Sequence, residues 1–163
     1  MSSATKIIVR AGLIAGLYVV LSLLTFPVAS GAIQFRLSEA LTILPLFFVE
    51  AIPALVVGCM LSNLITGCMF LDIILGSVIT LISAVLTYFV GKIIKNSPLK
   101  IIIGGFFPVI LNALFLPIIW LVIYGAIEYV YMLQVLFLFI SQSISVYGVG
   151  TPLYFAIKRI NEK

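Results

Sequence analysis

Residues 101–124 read IIIGGFFPVILNALFLPIIWLVIY, a stretch without a single charged side chain. About 20 apolar residues in an α-helix are enough to cross the hydrocarbon core of a bilayer, which is roughly 30 Å thick. This stretch is long enough and apolar enough to do so. It therefore predicts a membrane-spanning helix.

The composition extends this interpretation to the whole chain. Of its 163 residues, 64% are hydrophobic and 9% are charged, and the mean hydropathy is +1.37. Soluble domains average about 45–50% apolar and about 25% charged residues. We therefore predict an all-α integral membrane protein that forms a single transmembrane domain over residues 1–163.

The charged and reactive residues exclude several function classes. Nine Lys and Arg against five Asp and Glu leave a net charge of +4, but the positive charges are scattered and form no basic face for nucleic acid. The sequence contains no His and no Gly-x-x-x-x-Gly-Lys-[Ser/Thr] phosphate loop. Cys59 and Cys68 lie in apolar surroundings, as small buried hydrophobic residues do. No metal, cofactor, catalysis or ATP hydrolysis by this chain is expected.

Charge-free stretches divide the chain into six predicted spans. The second is short and contains Pro45, and the last is long enough to predict a tilt, or a kink near Gly148 and Gly150. The first is predicted to remain as a membrane helix and not to be a removed signal peptide. The spans cover residues 7–26, 37–49, 51–67, 71–90, 101–124 and 129–157.

The positive charges predict the orientation, because Lys and Arg in short loops stay cytoplasmic. The chain has three basic clusters. All three fall on one side of the membrane only if four spans precede the middle cluster and the total number of spans is six. Both termini are then cytoplasmic, and Glu50 lies in an inner loop, where it is expected to be solvated. The clusters are Lys6 with Arg10, Lys92 with Lys95 and Lys100, and Lys158 with Arg159 and Lys163.

Polar side chains inside membrane spans are rare, since each is costly to insert, and here nearly all fall in the predicted outer half. This joint placement predicts a site that captures a small polar molecule from outside. The residues are Arg36, Glu39, Asn63, Asp72, Asn112, Gln134 and Gln142.

Structural explanations of the same residues stay open. Arg36 and Glu39 are three apart and can form an ion pair at a helix start. Asp72 suits the first turn of a helix, where an acid interacts favourably with the helix dipole. Asn and Gln inside helical bundles also hydrogen-bond neighbouring helices.

The first span carries small residues at a spacing of four: Ala11 with Ala15, and Gly12 with Gly16. Small residues at i and i+4 let another helix approach closely. The partner helix lies either in a second protein or within the same bundle.

Residues 33–45, IQFRLSEALTILP, resemble the QueT family, substrate-binding S components of energy-coupling factor (ECF) transporters that take up precursors of the tRNA base queuosine. Six spans in a short chain, the stripe at 11–15 and the missing nucleotide motif are similar to S components in general. Shorter matches to the QueT family occur at 51–54, 71–77, 112–113 and 150–154.

The resemblance implies a protein of the bacterial plasma membrane that binds its ligand outside and topples to release it inside. A separate scaffold membrane protein and a pair of ATPases would supply the energy, and the small-residue stripe would dock on the scaffold. Other S-component ligands, such as a vitamin or a purine-like micronutrient, and a structural or assembly role without any ligand remain alternatives.

For a 7-deazaguanine such as preQ0, preQ1 or queuine, the resemblance implies that the Glu39 carboxylate accepts two N–H donors of the guanine-like edge. Arg36 would orient Glu39 or meet the base carbonyl, and Asn112 and Gln142 would hydrogen-bond the remaining edge. The ring would stack on an aromatic residue, for which Phe35, Phe70, Tyr129 and Tyr131 are candidates. Ser141-Gln142 stands where the family has Gly-Glu, which disfavours the aminomethyl-bearing precursor.

Overall fold

The computed structural model describes residues 2–29, 34–125 and 130–161, and all regular structure in these ranges is helical, as predicted. The elements in chain order are α1 (Ser3–Ala29), a 3₁₀ helix (Leu37–Leu46), α2 (Ala51–Ile65), α3 (Phe70–Ile93), α4 (Ser97–Tyr124), α5 (Tyr131–Ser143), a π-helical segment (Ile144–Val149) and α6 (Gly150–Asn161).

Four helical stretches are long and apolar enough to cross a membrane: α1, α3, α4 and the continuous run Tyr131–Asn161. The 3₁₀ helix has 10 residues and α2 has 15. At about 2.0 Å and 1.5 Å per residue, each is only about 20 Å long, less than the roughly 30 Å core. Helix lengths therefore establish four candidate spans, and six crossings stay a prediction.

The predicted second span is an internal element of the bundle. Nine residues of the 3₁₀ helix, from Ser38 to Leu46, are buried. Two glycines allow neighbouring helices to approach it closely. A Cβ at Gly91 of α3 would lie 2.6 Å from the Leu46 carbonyl oxygen, and one at Gly104 of α4 would lie 2.8 Å from the Leu46 side chain. The polar residues of this helix are thereby held at the centre of the protein.

The last predicted span is one helical run that departs from α geometry. The π-helical segment Ile144–Val149 lies where the sequence predicts a kink. Just after it, a Cβ at Gly150 would lie 3.1 Å from the Ala40 carbonyl oxygen. The altered turn therefore occurs where this run packs against the 3₁₀ helix.

The basic clusters meet at one end of the bundle, which we call the basic end. Arg10 Nη1 lies 2.7 Å from Glu50 Oε1, and only 9% of the Glu50 side chain is exposed, so the expectation that Glu50 is solvated is wrong. Lys158 Nζ donates a hydrogen bond to Ser97 Oγ at 3.0 Å. The first contact joins α1 to the start of α2, and the second joins the start of α4 to the last part of α6. Lys163 lies outside the described residues.

Candidate ligand-binding site

A polar cavity, the first cavity, lies in the half of the bundle opposite the basic end. The space between its lining residues, including the part that is open to solvent, is about 410 Å³. Six of the residues predicted to bind substrate line it, and they come from the 3₁₀ helix, the segment before it and four α-helices, α2 to α5. They are Arg36, Glu39, Asn63, Asp72, Asn112 and Gln142.

Glu39 is the central acid of this cavity. Its side chain is held by two donors from other helices: Tyr18 Oη donates to Oε1 at 2.6 Å, and Asn112 Nδ2 donates to Oε2 at 3.1 Å. Only 4% of Glu39 is exposed. Because a carboxylate oxygen accepts two hydrogen bonds, each oxygen keeps one acceptor position for a ligand.

Tyr18 was not among the residues predicted from the sequence. It is fully buried on α1, where Gly58 of α2 makes room for it. A Cβ at Gly58 would lie 2.8 Å from the Tyr18 Cβ. A signal was present, since a buried Tyr hydroxyl inside an apolar span needs a polar partner.

The side chain of Arg36 hydrogen-bonds Asn63 and not the Glu39 carboxylate. Its Nη1 donates to Asn63 Oδ1 at 3.4 Å. Arg36 and Glu39, both within the described ranges, form no ion pair, and a backbone hydrogen bond of 3.3 Å from Glu39 N to Arg36 O joins them instead. The ion pair considered from their spacing is therefore absent. Tyr18 and Asn112, not Arg36, orient the Glu39 carboxylate.

The position of Asp72 is compatible with both roles considered for it. It occupies the first turn of α3, and it also lines the first cavity. Tyr124 Oη donates to Asp72 Oδ2 at 3.3 Å and accepts from Met69 N at 3.4 Å. The start of α3 is thereby tied to the end of α4 beside the cavity.

Two amides that line the cavity have unused acceptors. Gln142 is 2% exposed, and its Oε1 has no hydrogen-bond partner in the part of the chain that the structure describes. The same holds for the buried Oε1 of Gln34, which the sequence interpretation missed. An unsatisfied buried acceptor costs about 1–3 kcal/mol, so ligand N–H or O–H groups reaching these oxygens would be stabilised.

Two predicted binding residues, Gln134 and Phe35, are not among the residues that line the cavity. Gln134 is buried in α5. Its position fits the structural alternative, in which an amide hydrogen-bonds inside the bundle.

The aromatic residue that lines the cavity, within the described ranges, is Trp120. Of the other candidates for stacking, Phe70 is 73% exposed, and Tyr131 Oη donates to the Leu114 carbonyl at 2.9 Å. Tyr129 lies outside the described residues. Trp120 follows Asn112 by eight residues on α4, and this spacing, which places both on one helical face, was the signal that could have identified it.

The small residues of α1 occupy two different surfaces. Ala11 and Ala15 pack against a core cluster shared with α2, which matches the within-bundle alternative. Gly12 and Gly16 are exposed, and a Cβ at either would meet no described atom within 4 Å. Of these four residues, the two glycines are the exposed ones, and Ala11 and Ala15 are partly buried.

No group of three or more His, Cys, Asp or Glu side chains that could hold a metal ion occurs within residues 2–29, 34–125 and 130–161. A family model described as QueT transporter matches residues 8–159. The chain belongs to the QueT transporter family. As a QueT-family protein, it is a substrate-binding S component of an ECF transporter. Neither the curated proteins nor the solved structures include a match.

Proposed function

We propose that this QueT-family protein captures a queuosine precursor, a 7-deazaguanine such as preQ0, preQ1 or queuine, from outside the cell for ATP-driven uptake. The observation that carries the proposal is the buried Glu39 carboxylate at the first cavity, held by Tyr18 and Asn112. A guanine-like edge presents two N–H donors side by side, and a carboxylate with one open position on each oxygen is their complement.

The other lining residues support a planar base with a polar edge. The unused Oε1 atoms of Gln142 and Gln34 accept further N–H groups. The Arg36 guanidinium is a donor for the base carbonyl oxygen, and the Trp120 indole offers a face for the ring. The cavity therefore offers acceptors for the N–H groups of the base and a donor for its carbonyl oxygen.

We further propose that the protein lies in the bacterial plasma membrane with six crossings and both termini cytoplasmic. Support comes from the separation of the basic end from the first cavity, because Lys and Arg concentrate on the cytoplasmic side. The cavity then opens outward. With Cys59 and Cys68 replaced by Ala, a membrane-impermeant maleimide should therefore label Lys95→Cys only after the cells are disrupted. Labelling without cell disruption would reverse the orientation.

The proposed partners are an ECF scaffold membrane protein and an ATPase pair. The sequence contains no phosphate loop, so the energy for uptake has to come from other chains. Contact with the scaffold is assigned to the exposed glycines of α1, Gly12 and Gly16.

The substrate is tested by equilibrium binding of the purified protein to a panel of 7-deazaguanines, guanine and vitamins, with mass spectrometry of co-purified small molecules. Saturable binding of 7-deazaguanines, absent for vitamins, supports the proposal. Saturable binding of a vitamin alone would assign a different S-component ligand. A protein that is folded but binds no member of the panel would contradict the 7-deazaguanine assignment.

A further inference from the structure

A second cavity adjoins the first, between the ends of α1 and α2 that are remote from the basic end. It encloses about 320 Å³ of empty space, counting its mouth. Arg36 and Asn63 line both cavities, so their side chains form the wall between them. The wall is closed by the 3.4 Å hydrogen bond from Arg36 Nη1 to Asn63 Oδ1. A ligand group that displaces Arg36 from Asn63 would pass from the first cavity into the second.

The hydroxyl groups of the second cavity offer acceptors. Ser62 Oγ donates to the Cys59 carbonyl at 3.0 Å, and Thr66 Oγ1 donates to the Ser62 carbonyl at 2.9 Å. A carbonyl oxygen can only accept, and a hydroxyl has one hydrogen, so both hydrogens are already used. Ser62 therefore presents its oxygen lone pairs to a ligand. Thr66 Oγ1 presents one lone pair, because the Cys68 thiol lies 3.6 Å away and donates to the other.

Arg36 supplies the opposite hydrogen-bonding character. Its guanidinium has donors and no acceptor, and it carries a permanent positive charge. Among the residues that line the second cavity, Arg36 is the charged one. A ligand ammonium would be repelled there, whereas a hydroxyl group donates to Ser62 or Thr66, accepts from Arg36 and adds no charge.

The chemistry of the base places a substituent at this wall. In a 7-deazaguanine, position 7 lies on the same side of the ring system as the carbonyl oxygen, away from the N–H edge. With Glu39 on the N–H edge and Arg36 at the carbonyl, position 7 lies next to Arg36. A group attached there extends toward the second cavity.

We infer that the second cavity is a subsite for a neutral, hydroxyl-bearing substituent at position 7 of the ligand. This inference rests on the proposed function, which places the base in the first cavity. The preferred substrate class is thus a 7-deazaguanine with a hydroxylated side chain.

The test compares four probes: unsubstituted 7-deazaguanine, a 7-hydroxyalkyl derivative, and 7-alkyl and 7-aminoalkyl derivatives of the same chain length. Their affinities are measured for the wild type and for the double variant Ser62→Ala with Thr66→Val. Ser83→Ala is the matched control, since Ser83 Oγ also donates to a helix carbonyl, that of Thr80, at 3.0 Å but lines neither cavity.

The wild type and the control should bind the hydroxyalkyl probe about fivefold more tightly than the alkyl and aminoalkyl probes, as expected for one or two added neutral hydrogen bonds. The double variant should lose this preference and keep its affinity for the unsubstituted base. Equal binding of the hydroxyalkyl and alkyl probes by the wild type would refute the subsite. If the unsubstituted base itself fails to bind, the proposed function fails first.

Alkylation of Cys68, which lines the second cavity, gives an independent readout. The hydroxyalkyl probe should slow its reaction with N-ethylmaleimide, followed by mass spectrometry of the peptide that contains it. The unsubstituted base at a saturating concentration should give little protection. Equal protection by both ligands would place the substituent outside the second cavity.

Discussion

Tyr18 Oη donates a hydrogen bond to Glu39 Oε1 at 2.6 Å and thereby joins α1 to the centre of the candidate site. Tyr18 is 0% and Glu39 4% exposed, so the contact is shielded from water, where an unpaired polar group is costly. Together with Asn112, this donor fixes the direction in which Glu39 presents its remaining acceptor positions. The same helix carries the exposed glycines Gly12 and Gly16. A movement of α1 would therefore displace Tyr18 and change the position of the Glu39 carboxylate.

Glu39→Gln should weaken binding of a 7-deazaguanine at least about tenfold, because a charged acceptor becomes an amide whose NH₂ group faces another donor. Isothermal titration of the purified variant measures the effect. Glu50→Gln is the control, since Glu50 pairs with Arg10 at the basic end. An unchanged affinity in a correctly folded Glu39→Gln protein would remove Glu39 from ligand recognition.

Tyr18→Phe should reduce affinity about three- to tenfold, because Glu39 loses the donor that fixes one of its oxygens. Thermal unfolding should show a modest loss of stability as well. Tyr147→Phe is the matched control, since it deletes a 2.9 Å hydrogen bond to the Ile102 carbonyl away from the cavity. If both variants lower stability but neither changes affinity, Tyr18 serves the fold alone.

Much of the architecture could be predicted from the sequence because long apolar runs leave few choices in a membrane. The bounds predicted for α3 and α4 lie within a few residues of those observed. The 3₁₀ helix could not be predicted in the same way. Its form depends on close packing against Gly91 and Gly104, which are distant in sequence.

Most of the polar residues that line the cavity could be predicted from the sequence, but the contacts between them could not. An Asn or Glu inside an apolar span indicates a site or an interhelical contact, and six of the predicted residues do share a cavity. Which side chains meet depends on helix rotation and tilt. For this reason the spacing suggested Arg36 as the partner of Glu39, whereas Tyr18 and Asn112 hold it.

Trp120→Ala should weaken binding of the base about fivefold or more, because stacking of a base on an aromatic ring contributes roughly 1–3 kcal/mol. Trp120→Phe keeps an aromatic face and should recover most of the affinity. Quenching of the fluorescence of Trp120, the single tryptophan of the chain, on ligand addition is a direct readout in the wild type. Equal binding by the Ala and Phe variants would argue against stacking.

Gln142→Glu should shift preference toward the precursor that bears a primary ammonium, because a new carboxylate in the first cavity attracts a cation in the adjoining second cavity across a buried, low-dielectric space. Competition between the nitrile and aminomethyl forms measures the ratio of affinities. Gln134→Glu is the control, since Gln134 is on the same helix but is not among the residues that line the cavity. An unaltered ratio in Gln142→Glu would place this side chain away from the substituent.

Replacing a small residue by Leu should have different effects on the two surfaces of α1. Ala15→Leu should destabilise the isolated protein by about 1–3 kcal/mol through overpacking, because Ala15 packs against the core cluster shared with α2.

Gly16→Leu should leave stability and ligand affinity unchanged, because its new side chain enters open space. If Gly16 lies at the scaffold contact, the same variant should lower recovery of the scaffold and ATPase chains in a pull-down, and uptake in cells should fall with it. Leu13→Phe, at a position that is 62% exposed on the same helix, controls for added bulk alone. Full recovery of partners with Gly16→Leu and with Gly12→Leu would exclude this glycine surface from docking.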